Sequence, residues 1–274
     1  MFVSVAILNF SRPEYIRNSI IPFLDKVELV NEILISHGKK EAVFSTPSIK
    51  VKHLYHYGEP NDTYGLTLRF LTASQASNEH VIIMDDDIIP DSETIKNLHD
   101  AIIEDERIHG LYGRDLDENN GYYIDNVFGE VPIVLTRCLI TTRSMCNYFL
   151  EHFRSYESER IKKSKPYWNG EDILFSLLSV EKYKKLPVAH DLRHTNRVMN
   201  YLNLSEAISF GSDHSDYRRD LTKELLGKID IHDQIKAKNI TKRRTQFGYF
   251  FDNSDLVYII ISILAVSLII YYAY

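Results

Sequence analysis

The chain has 274 residues, 44% hydrophobic and 26% charged, which is the balance of a folded protein with a sizeable core. A net charge of −6 argues against a general nucleic-acid binder, so no nucleic-acid partner is expected. Two cysteines, Cys138 and Cys146, are too few for a disulfide framework or a zinc quartet and fit a reducing compartment.

The apolar stretch Phe2–Leu8 lacks a basic leader and a cleavage site, so it reads as a first strand rather than a signal peptide. Ser11-Arg12-Pro13, with proline in the first turn, opens a helix over Glu14–Leu24. Strands follow at Glu32–Ser36, ended by His37-Gly38, and at Lys50–Tyr55; Leu66–Ser77 is helical. Val81-Ile82-Ile83-Met84 is an apolar run read as a strand buried on both faces, and it leads straight into Asp85-Asp86-Asp87. Ser92–Asp105 is the next helix. Strands alternating with helices imply βαβ units and a mostly parallel sheet. Ligands of such sheets bind beyond the strand carboxyl ends, where the three acids lie.

Short strands are expected at Gly110–Gly113, Tyr122–Val127 and Ile133–Leu139, and a helix at about Thr142–Phe153. Ser155–Lys165 reads as an exposed loop, and Tyr167-Trp168-Asn169-Gly170-Glu171-Asp172 opens a helix over Ile173–Ser179. The simplest partition is one α/β domain over residues 1–235, a basic connector over 236–255 and an apolar segment over 256–274.

Leu256–Tyr274 carries no charge and would span about 28 Å as a helix, close to a bilayer core. Tyr258, Tyr271, Tyr272 and Tyr274 mark its ends as interfacial aromatics do, so a single-pass membrane anchor is expected. A buried terminal helix would rarely be apolar on every face. Lys236, Lys238, Lys242, Arg243 and Arg244 precede the span, which places the large domain on the cytosolic side and leaves the sequons at Asn61, Asn203 and Asn239 unmodified.

Two readings exist for the acid triplet. It is either a solvated turn before a helix capped by Asp91 or Ser92, or a site for Mg²⁺ or Mn²⁺ that keeps positions open for phosphate. Glu171-Asp172 either complements a helix dipole or supplies a general base or charge stabiliser, with Tyr167-Trp168 as a flat face for a sugar or a base. His214-Ser215-Asp216-Tyr217-Arg218-Arg219 holds phosphate-type ligands, or else is the charged face of a helix running through Leu221, Leu225 and Leu226. Arg69 could also reach a diphosphate. The glycine-rich, nucleophile-elbow and zincin motifs are missing, which argues against P-loop ATPases, dinucleotide oxidoreductases, serine hydrolases and zincins.

Ala6-Ile7-Leu8-Asn9-Phe10-Ser11-Arg12, Val81–Asp87 and Asn169-Gly170-Glu171-Asp172-Ile173-Leu174-Phe175 occur in this order. Together they resemble the GT-A-fold nucleotide-sugar glycosyltransferases, most closely the exostosin-like family. The resemblance implies a Rossmann-like mixed sheet flanked by helices, with a nucleotide-binding half over 1–90 and an acceptor-binding half over 91–235. It also implies a UDP-sugar donor, a Mn²⁺ cofactor and a glycan acceptor. Asp85 and Asp86 would hold the ribose and the metal's water shell, Asp87 would ligate the metal directly, and Asp85 is a further ligand candidate. Arg12 would lie near the uracil, and Arg69 and Arg219, with His214, near the diphosphate. Asp172 would be the catalytic carboxylate with Glu171 beside it, and Arg114, Tyr167 and Trp168 would face the acceptor. His37 and Leu8 stand where the family has a uracil-contacting asparagine and a glutamine, and Gly170 stands where it has a cysteine.

The expected reaction is metal-dependent transfer to a glycan or glycoprotein hydroxyl, with retention of configuration. The donor is UDP-GlcNAc or UDP-GalNAc by resemblance, with UDP-glucose and UDP-xylose open. The rival readings are a metal-dependent nucleotidyltransferase and a non-catalytic, membrane-tethered carbohydrate-binding protein.

Overall fold

The computed structural model describes residues 1–192, 197–198 and 214–239. The expected span Leu256–Tyr274 lies outside them, as do Asn203 and the basic cluster at 242–244; among the described residues no helix is long and apolar enough to cross a membrane. The chain divides into a unit Met1–Ile231 and a unit His232–Tyr274. Of the second, residues 232–239 are described, as a helix.

The strands are β1 (Val3–Asn9), β2 (Val30–His37), β3 (Val51–Tyr55), β4 (His80–Met84), β5 (Ile88–Ile89), β6 (His109–Gly110), β7 (Gly113–Arg114), β8 (Gly129–Glu130), β9 (Ile133–Val134), β10 (Cys138–Thr142), β11 (Val188–Ala189) and β12 (Arg197–Val198). The main sheet runs β3-β2-β1-β4-β10-β6-β11-β8. Its first four strands are mutually parallel, and β10 joins β4 antiparallel. Chain order reverses at β1, between β2 and β4. Asn9 pairs with His37 and Ile7 with Met84, so the carboxyl ends of β1, β2 and β4 open on one edge. A topological switch point of this kind leaves a crevice there.

β1 and β4 are largely apolar and almost wholly buried because both faces of the sheet are covered there. Val3, Val5 and Ile7 of β1 share a core with Ile16, Ile20, Ile21 and Leu24. The helix Leu68–Ser74 packs on β1 and β2 as well. The segment expected as one helix over Glu14–Leu24 is helical from Pro13 to Leu24, but its middle, Ile16–Ile20, is a π-helix. Pro22 has no N–H to give the preceding turn, and its ring would press on the carbonyl four residues back, so the turn widens ahead of it.

The second half departs further from the sequence pattern. Ile133–Leu139, expected as one strand, is broken: β9 pairs with β7, β10 returns to the main sheet, and Leu135–Arg137 crosses between them. Tyr122–Val127 forms no strand, only isolated bridges of Tyr122 to Leu116 and Val127 to Gly113. Ser155–Lys165 is not a bare loop. Ser158 caps the short helix Glu159–Lys162 by accepting from Ile161 N, and Ile161 is fully buried. The helix Glu171–Tyr183 is longer than its apolar run and buried on all sides through Val180. Phe175 stacks on Phe70 at 4.2 Å between ring centres and meets Phe149 edge-on, which fixes this helix against its neighbours.

Candidate active site

Asp85, Asp86 and Asp87 follow β4 directly, at the open edge. Asp85 is partly exposed; its backbone N–H donates to Arg137 O (3.0 Å), and its carboxylate accepts from Arg69 Nη1 (2.9 Å). Asp86 is buried against Arg12, which donates to it. Burial, offset in part by Arg12, raises its carboxyl to about 6. Asp87 is also buried and its carboxyl is raised, first by desolvation and then by Asp85. Its Oδ1 accepts no hydrogen bond, and the Arg137 guanidinium stands 4.0 Å away.

Arg69 joins the triplet to the second acid pair. Besides Asp85, its Nη1 donates to Thr136 Oγ1 (2.6 Å), and its Nε lies 3.3 Å from Glu171 Oε1. The Thr136 hydroxyl also reaches Glu171 Oε1 at 3.3 Å. Glu171 is pushed up by burial, against the pull of Arg69. Asp172, next to it, accepts from Arg218 Nη2 at both oxygens, 2.9 and 2.7 Å, with both side chains buried. Asp172 pulls the Arg218 guanidinium upward against desolvation, so it stays charged.

Local backbone makes this meeting possible. Gly170 has φ +106°, and a Cβ there would come within 2.4 Å of Leu221 Cδ2. The missing side chain lets the helix His214–Leu226 lie over the start of the Glu171–Tyr183 helix. Arg218, Leu221, Thr222 and Leu225 form its buried face.

The other expected residues differ in exposure and in partners. Trp168 offers no open face: it is fully buried, edge-on to Phe153, because its φ of +60° turns the indole into the aromatic core. Tyr167 is half-buried; its hydroxyl donates to Glu157 and accepts from Arg154 Nη1 (3.2 Å). Arg219, one position round the helix from Arg218, is half-exposed and pairs with Asp216 (2.8 Å), with Asp117 at 3.8 Å. His37 is fully buried and both ring nitrogens are engaged, by Asn9 Nδ2 (2.9 Å) and His53 Nδ1 (2.8 Å). An amide nitrogen only donates, so His37 Nδ1 accepts and Nε2 carries the proton toward His53. Burial and His53 lower its pKa to about 4, which keeps it neutral. Arg114 donates to Gly113 O (2.9 Å) and to Asn126. His214 meets Asn169 Nδ2 at 3.5 Å, beside the acid pair.

Sequence reasoning did not single out Arg137, Thr136 and Tyr122, and from the stretch His214–Arg219 it took Arg219 rather than Arg218. For Arg218 a signal existed: it is three, four and seven positions from Leu221, Thr222 and Leu225, so helical phase alone puts it on the packed face. For Arg137 and Thr136 no local signal exists, since only the break between β9 and β10 brings them here.

Among the described residues no three or more His, Cys, Asp or Glu form a group that could hold a metal alone. The buried, unpartnered Asp87 Oδ1 with nearby Asp85 still fits a hard ion that takes one or two carboxylates and fills its remaining positions with phosphate and water.

The model of the Glycosyl transferase family 64 domain matches residues 3–236. No curated protein matches the chain by sequence. Among solved structures, S. aureus TarS 1-349 in complex with UDP-GlcNAc is similar at 17% identity and a TM-score of 0.50, over 86% of this chain and 69% of that one; the likeness is one of fold. The match to TarS 1-349 in complex with UDP has 17% identity, a TM-score of 0.45 and 70% of this chain, and the chain spans only 58% of that protein's length. A mannosyltransferase, PcManGT from Pyrobaculum calidifontis, in complex with GDP-Man and Mn2+, matches at 13% identity and a TM-score of 0.46, over 69% and 54% of the two chains.

Proposed function

Since the chain belongs to glycosyl transferase family 64, we propose that it transfers a sugar from a UDP-sugar to a hydroxyl of a glycan or glycoprotein, as an exostosin-like, metal-dependent enzyme. The observation that carries this reading is the arginine bridge. Asp85 and Glu171, far apart in sequence, meet on one guanidinium, and Asp172 is held beside them by another. The two acid clusters share one ion-pair network, which would set carboxylates for a donor's cation beside carboxylates for the reacting centre.

The role of each residue follows from its chemistry. Asp87 and Asp85 would hold Mn²⁺ or Mg²⁺, which when bound neutralises charge on a departing diphosphate. Arg69 and Arg137 place further positive charge at the acid triplet. Arg12 fixes Asp86 at the nucleotide end. Asp172 has both oxygens engaged by Arg218, so neither is free to take a proton from an acceptor hydroxyl without breaking that contact. That arrangement supports a carboxylate steadying positive charge at an anomeric carbon, and so transfer with retention. The donor of first choice is UDP-GlcNAc or UDP-GalNAc, in keeping with the UDP-GlcNAc held by TarS. UDP-glucose and UDP-xylose come next. Residues 256–274 would anchor the enzyme with its catalytic domain facing the cytosol, so acceptors are glycans available on that side.

A panel of UDP-sugars with Mn²⁺, scored by saturation-transfer NMR and UDP release, tests the reading. Binding and turnover of one donor are expected, with the donor's anomeric configuration kept in the product. UDP release from none of them, or neutral Asp87→Ala and Asp172→Asn variants, would overturn it.

A further inference from the structure

The Arg218 guanidinium is held on two sides by groups of different kinds. Its Nη2 meets both oxygens of Asp172, and its carbon lies 4.5 Å from the centre of the Tyr122 ring. Both side chains are buried, Tyr122 at 6% and Arg218 at 5% exposure, so the ring face acts on a desolvated cation, where such contacts are strongest. Arg218 Nε is buried and donates to nothing, so no hydrogen bond along the stem fixes the plane of the fork.

Tyr122 is itself held by an organised loop. The Asp117 carboxylate accepts from the N–H groups of Asn119 and Gly121, both at 2.8 Å, and Tyr122 bridges back to Leu116. Gly121 lies against the next arginine of the helix: a Cβ there would come 2.5 Å from Arg219 Cγ and 2.8 Å from Asp117 Oδ2. The same loop thus grips two consecutive arginines, Arg219 along its stem and Arg218 through the Tyr122 ring. Tyr123 and Ile124, the next two residues, are exposed.

We infer that Tyr122 is a positioning residue for transfer: its ring face sets the plane of the Arg218 guanidinium, and through it the orientation of Asp172. The inference rests on the assignment of Asp172 to the reacting centre. The contact that carries it is the π face of the ring. A loop far from Asp172 in sequence therefore controls the carboxylate, and an acceptor that moves the loop at Tyr123 and Ile124 would be felt at Asp172.

The test replaces Tyr122 with Phe, then with phenylalanines bearing one, two and three ring fluorines, and finally with Leu, in the full chain. Fluorine drains the ring face while leaving its shape, so the series should fold alike. Arg218 is read without any donor, from the rotation rate of its guanidinium by ¹⁵N NMR, and turnover is read as UDP release from UDP-GlcNAc with Mn²⁺. Expected, relative to Tyr122→Phe, are faster guanidinium rotation with each fluorine and a stepwise fall in kcat to about tenfold or more at Leu with the donor KM unchanged. Rotation indifferent to fluorination, or an unchanged kcat while Asp172→Asn abolishes turnover, would overturn the inference and leave the assignment of Asp172 standing. A fully active Asp172→Asn would instead remove that assignment.

Discussion

Arg218 Nη2 lies 2.7 and 2.9 Å from the two carboxylate oxygens of Asp172, and neither side chain is open to water. They lie 46 positions apart, and Gly170, with no side chain against Leu221, leaves room for the helix His214–Leu226 over the start of the Glu171–Tyr183 helix. Both oxygens of the carboxylate are thereby taken up by one guanidinium. Burying such a pair is costly unless its geometry is good, and removing either member leaves the other stranded.

Asp172→Asn should lower kcat at least about a hundredfold, the scale of a lost charge-stabilising group. Arg218→Lys keeps the charge but loses the planar fork, and should also lower kcat sharply while changing the donor KM little. Steady-state kinetics read both. Wild-type kcat for Arg218→Lys would show that the fork does not matter.

Arg69→Met leaves buried Glu171 without its cation and should cost about 3–5 kcal/mol in urea unfolding. Adding Glu171→Gln should recover part of that loss, because the stranded charge is gone. A double-mutant cycle with no coupling would deny the bridge between the two acid sites.

Asp87 is desolvated and its Oδ1 has no donor, so its ionised form strains the protein near neutral pH. Asp87→Asn should therefore melt above wild type at pH 7 without metal, and yet bind UDP with Mn²⁺ at least about tenfold more weakly by calorimetry. Equal titration isotherms would reject Asp87 as a ligand. A residue kept for function at the expense of stability predicts this opposition.

Glu32, at the amino end of β2, behaves in the reverse sense. Burial alone would raise its carboxyl, but Lys52, Ser4 and Ser77 outweigh it and bring it down to about 2. A lowered pKa contributes stability that is present above the unfolded value of 4.5 and is lost as pH falls through about 2. Unfolding free energies should drop by about 3 kcal/mol across that window from this group. In Glu32→Gln this contribution to the drop should vanish, which a urea titration at stepped pH would reveal.

The alternation of apolar strands and helices was legible because each carries its own period, and β4 was legible because a strand buried on both faces is apolar throughout. The acids after it fell at the open edge for the same reason. Where elements were misread, tertiary demands had overridden local pattern: Ile133–Leu139 is apolar enough for one strand, yet it breaks to bring Thr136 to Arg69 and Arg137 to Asp87. Trp168 lies in the core, and an aromatic beside acids looks the same in sequence whether it faces solvent or core.

The residues alone determined the α/β class, the carboxyl-edge position of Asp85–Asp87, and Glu171-Asp172 at a helix start, since these depend on neighbours a few positions away. Helical phase also held the choice of Arg218 over Arg219. Which cation meets which carboxylate was decided only by the tertiary structure: Arg12 with Asp86, Arg69 between Asp85 and Glu171, Arg218 between Tyr122 and Asp172. Charge pairing acts over a few ångströms, and the packing of distant segments sets those distances.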